Sequence, residues 1–177
     1  MGEKAYHTDE QLHNNRLRYY FESFGKLTIA KVVEYAYVLN WSGRQVFNLG
    51  FGDYDAAKNT ILDDTESNNN DAYAVFNTVL YTIPAFFQKY PKAVLFVQGS
   101  DSTEEFVEKC KRSCKRNCAD DVCKKKGRRI AAYTGYVNKN YEDLRNNYVF
   151  KGLLEIGTTP EDYTVGSKYE AVLVYRN

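Results

Sequence analysis

A run of alternating side chains between residues 27 and 39 most restricts how this chain folds. Its apolar members occupy every second position except 31, and they are Leu27, Ile29, Val33, Tyr35, Tyr37 and Leu39. A period of two is typical of a β-strand. A turn at Phe24-Gly25 joins it to a preceding strand, and Asn40-Trp41-Ser42-Gly43 predicts a hairpin into a third strand, over residues 44–55. The pattern therefore predicts an antiparallel sheet.

The remaining elements extend this sheet into an α+β pattern. A helix capped by Asn70 or Asp71 should run to Tyr90, kinked or restarted at Pro84, because proline lacks the N–H that helices need. Residues 93–99 predict a buried central strand, 128–147 a second helix, and 148–156 and 168–177 two closing strands. The order β-β-β-α-β-α-β-β predicts a mostly antiparallel sheet with helices on one face. We expect residues 1–18 to be a polar, weakly ordered segment and 19–177 a single domain, with an insert at 102–127.

Charge is segregated along the chain although the formal net charge is only +1. The stretch from Lys109 to Arg129 holds ten of the 24 Lys and Arg residues and two acids, whereas the rest of the chain is acidic. Such a run predicts salt-sensitive binding to a polyanion, because cations release the counterions of phosphates. The candidate contacts are Lys115, Arg116, Lys124, Lys125, Lys126, Arg128 and Arg129. A solvated charged excursion without a ligand is the other interpretation.

All four cysteines, Cys110, Cys114, Cys118 and Cys123, fall in the same basic stretch. The first three are spaced four apart and would line one stripe of a helix, and Cys123 could fold back towards them. Four thiolates could hold zinc (Zn²⁺) tetrahedrally, although the spacing is not the common C-x₂-C pattern. Disulfides and free, reactive thiols are the alternatives.

The compartment follows from the apolar content. No stretch approaches the roughly 20 apolar residues that cross a bilayer, so we expect no membrane association. The first residues lack the apolar core of a secretion signal, which predicts a cytoplasmic protein. Thiols stay reduced there, so metal binding or free thiols are expected before structural disulfides.

Several segments resemble a family of small uncharacterised bacterial proteins found mainly in Bacteroidetes. They are YYFESFGKLTIAKVVEY, FNLGFGDYD, AYAVFNTVLYTIPAFFQKYPKAVLFVQGS and EAVLVYRN. By association, members look like the toxin half of toxin–antitoxin pairs. Gly99 and Ser100 match the start of the family's most polar motif, Asp101 stands where threonine is usual, and Ala131 replaces a second arginine. The resemblance implies that Arg129 returns beside Ser100 after the insert, forming a phosphate-sized pocket with Tyr133 near it. Alternatively, Ser100 or Asp101 caps the next element and Tyr133 lies in the core.

One more polar strand end stands out, at Asn48 to Asp55. Its two glycines and two aspartates could position a carboxylate, which makes Asp53 a candidate catalytic residue, or could simply form a bulge and turn. His7 and His13 pair with nothing obvious, so the sequence indicates no Ser-His-Asp or Cys-His system.

Three functions fit these observations. The first is binding of RNA or DNA through the basic insert, as a toxin-like effector. The second is an enzyme that acts on a nucleotide or RNA, with Ser100, Arg129 or Asp53 in its site. The third is an interaction module in which the insert binds an acidic protein partner.

Overall fold

The computed structural model describes residues 5–62, 69–113 and 123–177. The chain falls into two compact units, residues 1–93 and 94–177. Within the described residues, no helix is both long enough and apolar enough to cross a membrane.

The first unit is an antiparallel sheet with one long helix. Its strands follow one another as neighbours in the order β1-β2-β3-β4-β5. They are β1 (Asp9–His13), β2 (Arg16–Phe24), β3 (Thr28–Trp41), β4 (Arg44–Asp55) and β5 (Thr60–Leu62), followed by helix α1 (Ala72–Lys89). The strand predicted from the alternation at 27–39 is β3, and the hairpin to β4 is confirmed.

One face of β3 packs on α1. The Tyr35 ring is fully buried, stacks on Phe86 at 4.4 Å between centroids, and its hydroxyl lies 2.6 Å from Thr82 Oγ1. The register of β3 against β4 shifts between Tyr37 and Leu39, and both of these side chains are exposed. The predicted apolar face therefore forms core around Tyr35 but is exposed at both ends, at Leu27 and from Tyr37 onward.

Helix α1 is continuous across Pro84, so of the kink or restart predicted there, the restart is wrong. Phe86 and Phe87, which follow the proline, are fully buried, and their packing holds the last turns in place. Asp71 occupies the N-cap position but its side chain makes no capping bond. Its Oδ2 instead accepts hydrogen bonds from Ser23 Oγ (2.6 Å) and the Tyr6 hydroxyl (2.8 Å), which tie the helix start to β2.

The N-terminal segment is more ordered than its composition predicts. Residues 9–13 form β1, which pairs with β2 along its length, although every side chain of β1 is exposed. Backbone hydrogen bonding rather than side-chain burial holds this edge strand, so it leaves no hydrophobic alternation in the sequence. Leu17 on β2 is fully buried, which brings the core into the segment expected to be loose.

The second unit is also α+β. It contains β6 (Val94–Gln98), a 3₁₀ turn (Ser100–Ser102), α2 (Glu104–Ser113), α3 (Arg128–Leu144), β7 (Tyr148–Leu153), β8 (Glu161–Asp162) and β9 (Ala171–Arg176). The strands are antiparallel neighbours in the order β6-β9-β7-β8. Helix α3 contributes Ile130 to a core with Phe150, Tyr163, Tyr169 and Val172. The predicted α+β class with a mostly antiparallel sheet is confirmed.

Candidate functional site

The end of β6 and the start of α3 meet in the second unit. The main-chain N–H of Arg129 donates to Asp101 Oδ2 at 3.0 Å, and that of Gly127 donates to the Asp101 carbonyl at 3.1 Å. The Arg129 guanidinium donates from Nη1 to Ser100 Oγ. The two ends of the insert at residues 102–127 therefore lie close together. The structure brings Ser100 and Arg129 into contact, as the resemblance implied.

Gly99 makes this close approach possible. A Cβ atom on Gly99 would lie 2.5 Å from Asp101 Oδ1, 2.9 Å from the main-chain nitrogen of Ile130 and 3.2 Å from Arg129 Cβ. The backbone angles of Gly99, φ −75° and ψ 128°, are ordinary for any residue. Space, rather than backbone conformation, therefore requires glycine at this position.

Asp101 is the buried centre of the junction, with 5% of its surface exposed. One carboxylate oxygen caps the first turn of α3, as an N-cap side chain would. The other, Oδ1, is buried without a hydrogen-bond partner among the described residues. Main-chain N–H groups at a helix start often bind an anion. In α3 the Arg129 N–H does not offer such a site, because it already donates to Asp101 Oδ2.

Tyr133 follows one helical turn after Arg129 and is half-buried. Burial raises the pKa of its hydroxyl, Asp101 raises it further, and the Arg129 guanidinium opposes both. The neutral phenol is therefore favoured, and Tyr133 lies within the electrostatic reach of the Ser100–Arg129 contact. The sequence left two positions open for Tyr133, in the core or near the Ser100–Arg129 contact. The structure shows a half-buried side chain close to that contact.

The described cations of the basic stretch differ in exposure. Lys124, Lys126 and Arg128 are exposed, whereas Lys125 and Arg129 are half-buried. Lys126 Nζ lies 2.8 Å from Glu104 Oε1 at the start of α2. This contact lowers the pKa of Glu104 and raises that of Lys126.

Two more cations of the stretch are paired within α2. Lys109 lies 3.0 Å from Glu105 and Lys111 lies 3.2 Å from Glu108, both on exposed surface. The acidic side chains of α2 thus offset part of the positive charge, which composition alone does not reveal. Lys115 and Arg116 lie outside the described residues.

The cysteines are described in part. Cys110 and Cys123 are both buried, at 9% exposure, and belong to one small cluster with Val107, against which Phe106 packs. Cys114 and Cys118 lie outside the described residues, so the predicted four-thiolate zinc set does too. No group of three or more metal-binding side chains occurs within the described part of the chain.

Asp53 lies in the first unit, where its carboxylate pairs with the ammonium of Lys31 directly across the β3–β4 ladder. Both side chains are largely buried, at 13% and 5% exposure. The predicted catalytic carboxylate is thus a member of a buried ion pair. Lys31 was missed, although a lysine within an otherwise apolar alternating face was the available signal.

The comparison with known families covers more than half of this chain. A family model described as a family of unknown function, DUF6934, matches residues 3–106. The chain belongs to this family. The matched DUF6934 region includes Asp53, Ser100 and Asp101, whereas Arg129 lies beyond it. The predicted resemblance is confirmed at the level of an uncharacterised family. No significant match was found among curated proteins or among solved structures.

Proposed function

We propose that this DUF6934 member binds a phosphorylated polymer, RNA or DNA, through the basic stretch Lys109–Arg129, and that it acts in the cytoplasm as a toxin-like effector. The binding surface consists of the exposed cations that precede α3 together with Arg129. The observation that supports the proposal best is the tethering of Arg129 to the junction by its own main chain and side chain.

Tethering matters because flexible cations lose side-chain entropy when they bind. Arg129 is already held by Ser100 Oγ and by Asp101 Oδ2, so less freedom remains to be lost on contact with a phosphate. A guanidinium also presents several N–H donors in one plane, which suits bidentate contact with phosphate oxygens. Arg129 therefore provides a preorganised contact beside the exposed side chains Lys124, Lys126 and Arg128.

The binding mode follows from the chemistry of these groups. Lysines and arginines spread over a loop and a helix start contact phosphates without reading bases. We therefore expect affinity that is independent of sequence and falls steeply with salt, since each neutralised phosphate releases counterions. The buried carboxylate of Asp101 already accepts the Arg129 main-chain N–H, so Arg129 contacts phosphate through its side chain.

Fluorescence anisotropy with labelled single-stranded RNA and DNA over a salt series tests the proposal. In one variant, Lys124, Lys125, Lys126, Arg128 and Arg129 are replaced by Gln. We expect weaker binding and a salt slope lower by roughly 3 to 4, at about 0.7 per phosphate contact on single strands.

A matched control removes the same charge elsewhere. Five exposed lysines outside the basic stretch, Lys26, Lys58, Lys92, Lys139 and Lys168, are replaced by Gln. We expect this control to keep most of the affinity and of the salt slope. Equal binding by both variants and the wild type would refute the proposal. A different result would favour the interaction-module function instead. In that case the wild-type protein binds neither RNA nor DNA but binds an acidic protein, and the five-Gln variant does not bind that protein.

A further inference from the structure

The first unit contains a half-open cavity of about 440 Å³, a volume that suits a small molecule. It lies beside β2 and β3 and involves none of the residues of the basic stretch. Five aromatic rings contribute to its lining: Tyr6, Tyr20, Phe21, Phe24 and Tyr54.

The rings form two groups that hold one another in place. Tyr6 stacks on Phe21 at 5.8 Å and meets Phe24 edge-on at 6.0 Å, while Tyr20 and Tyr54 meet edge-on at 4.8 Å. Further hydrogen bonds fix these rings. The Tyr6 hydroxyl donates to Asp71 Oδ2, and Tyr54 donates to Asn59 Oδ1 at 3.1 Å. The lining is therefore built before any ligand arrives.

The charges that line the cavity favour a cation. The carboxylates of Asp9 and Glu22 are exposed at the cavity, and no exposed lysine or arginine is among its described lining residues. Lys31 also lines it, but its ammonium is paired with the buried Asp53 carboxylate and lies 6.0 Å from the centre of the Phe51 ring. His7 also lines the cavity, and its Nε2 lies 3.9 Å from Asp9 Oδ1. With Lys31 offset by Asp53 and Asp9 beside His7, the Glu22 carboxylate is the lining group that most favours positive charge over an anion.

We propose that this cavity binds a small organic cation of the alkylated ammonium class. Aromatic faces attract such cations through the ring quadrupole, and their alkyl groups fill space that a hydrated metal ion would not. Carboxylates at the entrance add attraction over a longer range. The proposal is independent of polymer binding, because it involves another unit and the opposite charge.

Isothermal titration with choline and with 3,3-dimethylbutan-1-ol, its neutral isostere, separates the cation from its shape. We expect choline to bind and the alcohol to bind at least several-fold more weakly. Tyr20→Leu keeps apolar bulk but removes the ring, and should weaken choline binding roughly 2- to 30-fold. Tyr81→Leu is the matched control on the exposed surface of α1 and should leave binding unchanged.

Glu22→Gln provides a second variant that leaves the packing intact, since Glu22 is exposed. It should weaken choline binding a few-fold at low salt and have less effect at high salt. Equal affinity for choline and for the alcohol would overturn the proposal, because the cavity would then be a plain apolar pocket. Absence of choline binding by the folded wild type, or an equal loss in Tyr81→Leu, would overturn it as well.

Discussion

Replacing Gly99 by Ala tests the junction between β6 and α3 most directly. The new methyl group would approach Asp101 Oδ1 to 2.5 Å and the main-chain nitrogen of Ile130 to 2.9 Å. The carboxylate can rotate away only by giving up its bond to Arg129 N–H, and the Ile130 backbone cannot move without shifting α3. Since the backbone angles of Gly99 suit alanine, the cost is steric and not conformational.

The magnitude follows from comparable changes. Overpacking a filled site costs about 1–3 kcal/mol, and loss of a capping bond costs about 0.5–2 kcal/mol. Alanine also makes the unfolded chain less flexible than glycine does, which stabilises the folded protein by about 0.4–1 kcal/mol. We expect a net loss of about 2 kcal/mol, which lowers the ratio of folded to unfolded protein about 30-fold. In urea, the midpoint should fall by about 1 M.

Urea unfolding followed by far-ultraviolet circular dichroism measures this loss. Gly135→Ala in α3 is the matched control, because nothing lies within 4 Å of its Cβ position apart from its chain neighbours and the nearby backbone of its own helix. It should stabilise the protein by about 0.8–1 kcal/mol, since glycine is unfavourable inside a helix. If Gly99→Ala were as stable as Gly135→Ala, the close packing inferred at the junction would be refuted.

Three further changes test other contacts. Lys31→Met removes the ammonium that pairs with the Asp53 carboxylate and should cost about 3–5 kcal/mol in urea unfolding. Most of this loss should be recovered when Asp53→Asn is added. Burial raises the pKa of the Tyr163 hydroxyl to about 12. As pH rises, the unfolded chain loses this hydroxyl proton before the folded protein does, so the free energy of unfolding should fall between about pH 10 and pH 12. The fall should be shallower in Tyr163→Phe. Glu104→Gln releases Lys126 from its ion pair and should strengthen RNA binding severalfold and steepen its salt dependence.

The sequence predicts the elements whose side chains alternate with a clear period. β3 is recognised because its apolar residues recur at every second position, and α3 because its apolar stripe recurs at helical spacing. β1 is missed, since an exposed edge strand is held by its backbone and its side chains carry no signal. At Pro84 the sequence predicts a kink or a restart, whereas α1 continues through it, because the burial of Phe86 and Phe87 outweighs the local cost of proline.

The residues of the candidate site were predicted, but most of the contacts that they make were not. The return of Arg129 to Ser100 was implied by the family resemblance and not by the residues alone. The capping role of Asp101 towards α3 was not implied, because it joins residues 28 positions apart through a side chain. The pairing of Lys126 with Glu104 and of Lys31 with Asp53 also depends on tertiary contacts, which a charge pattern along the chain does not contain.

The hydrogen bond from Gly127 to the Asp101 carbonyl has a practical consequence for protein engineering. Its N–H and its acceptor are only 3.1 Å apart, although 25 residues separate them along the chain. A short linker could span the same gap, so the intervening stretch could be excised or exchanged for a foreign loop while the junction is kept. The site would then serve as a graft position on this scaffold.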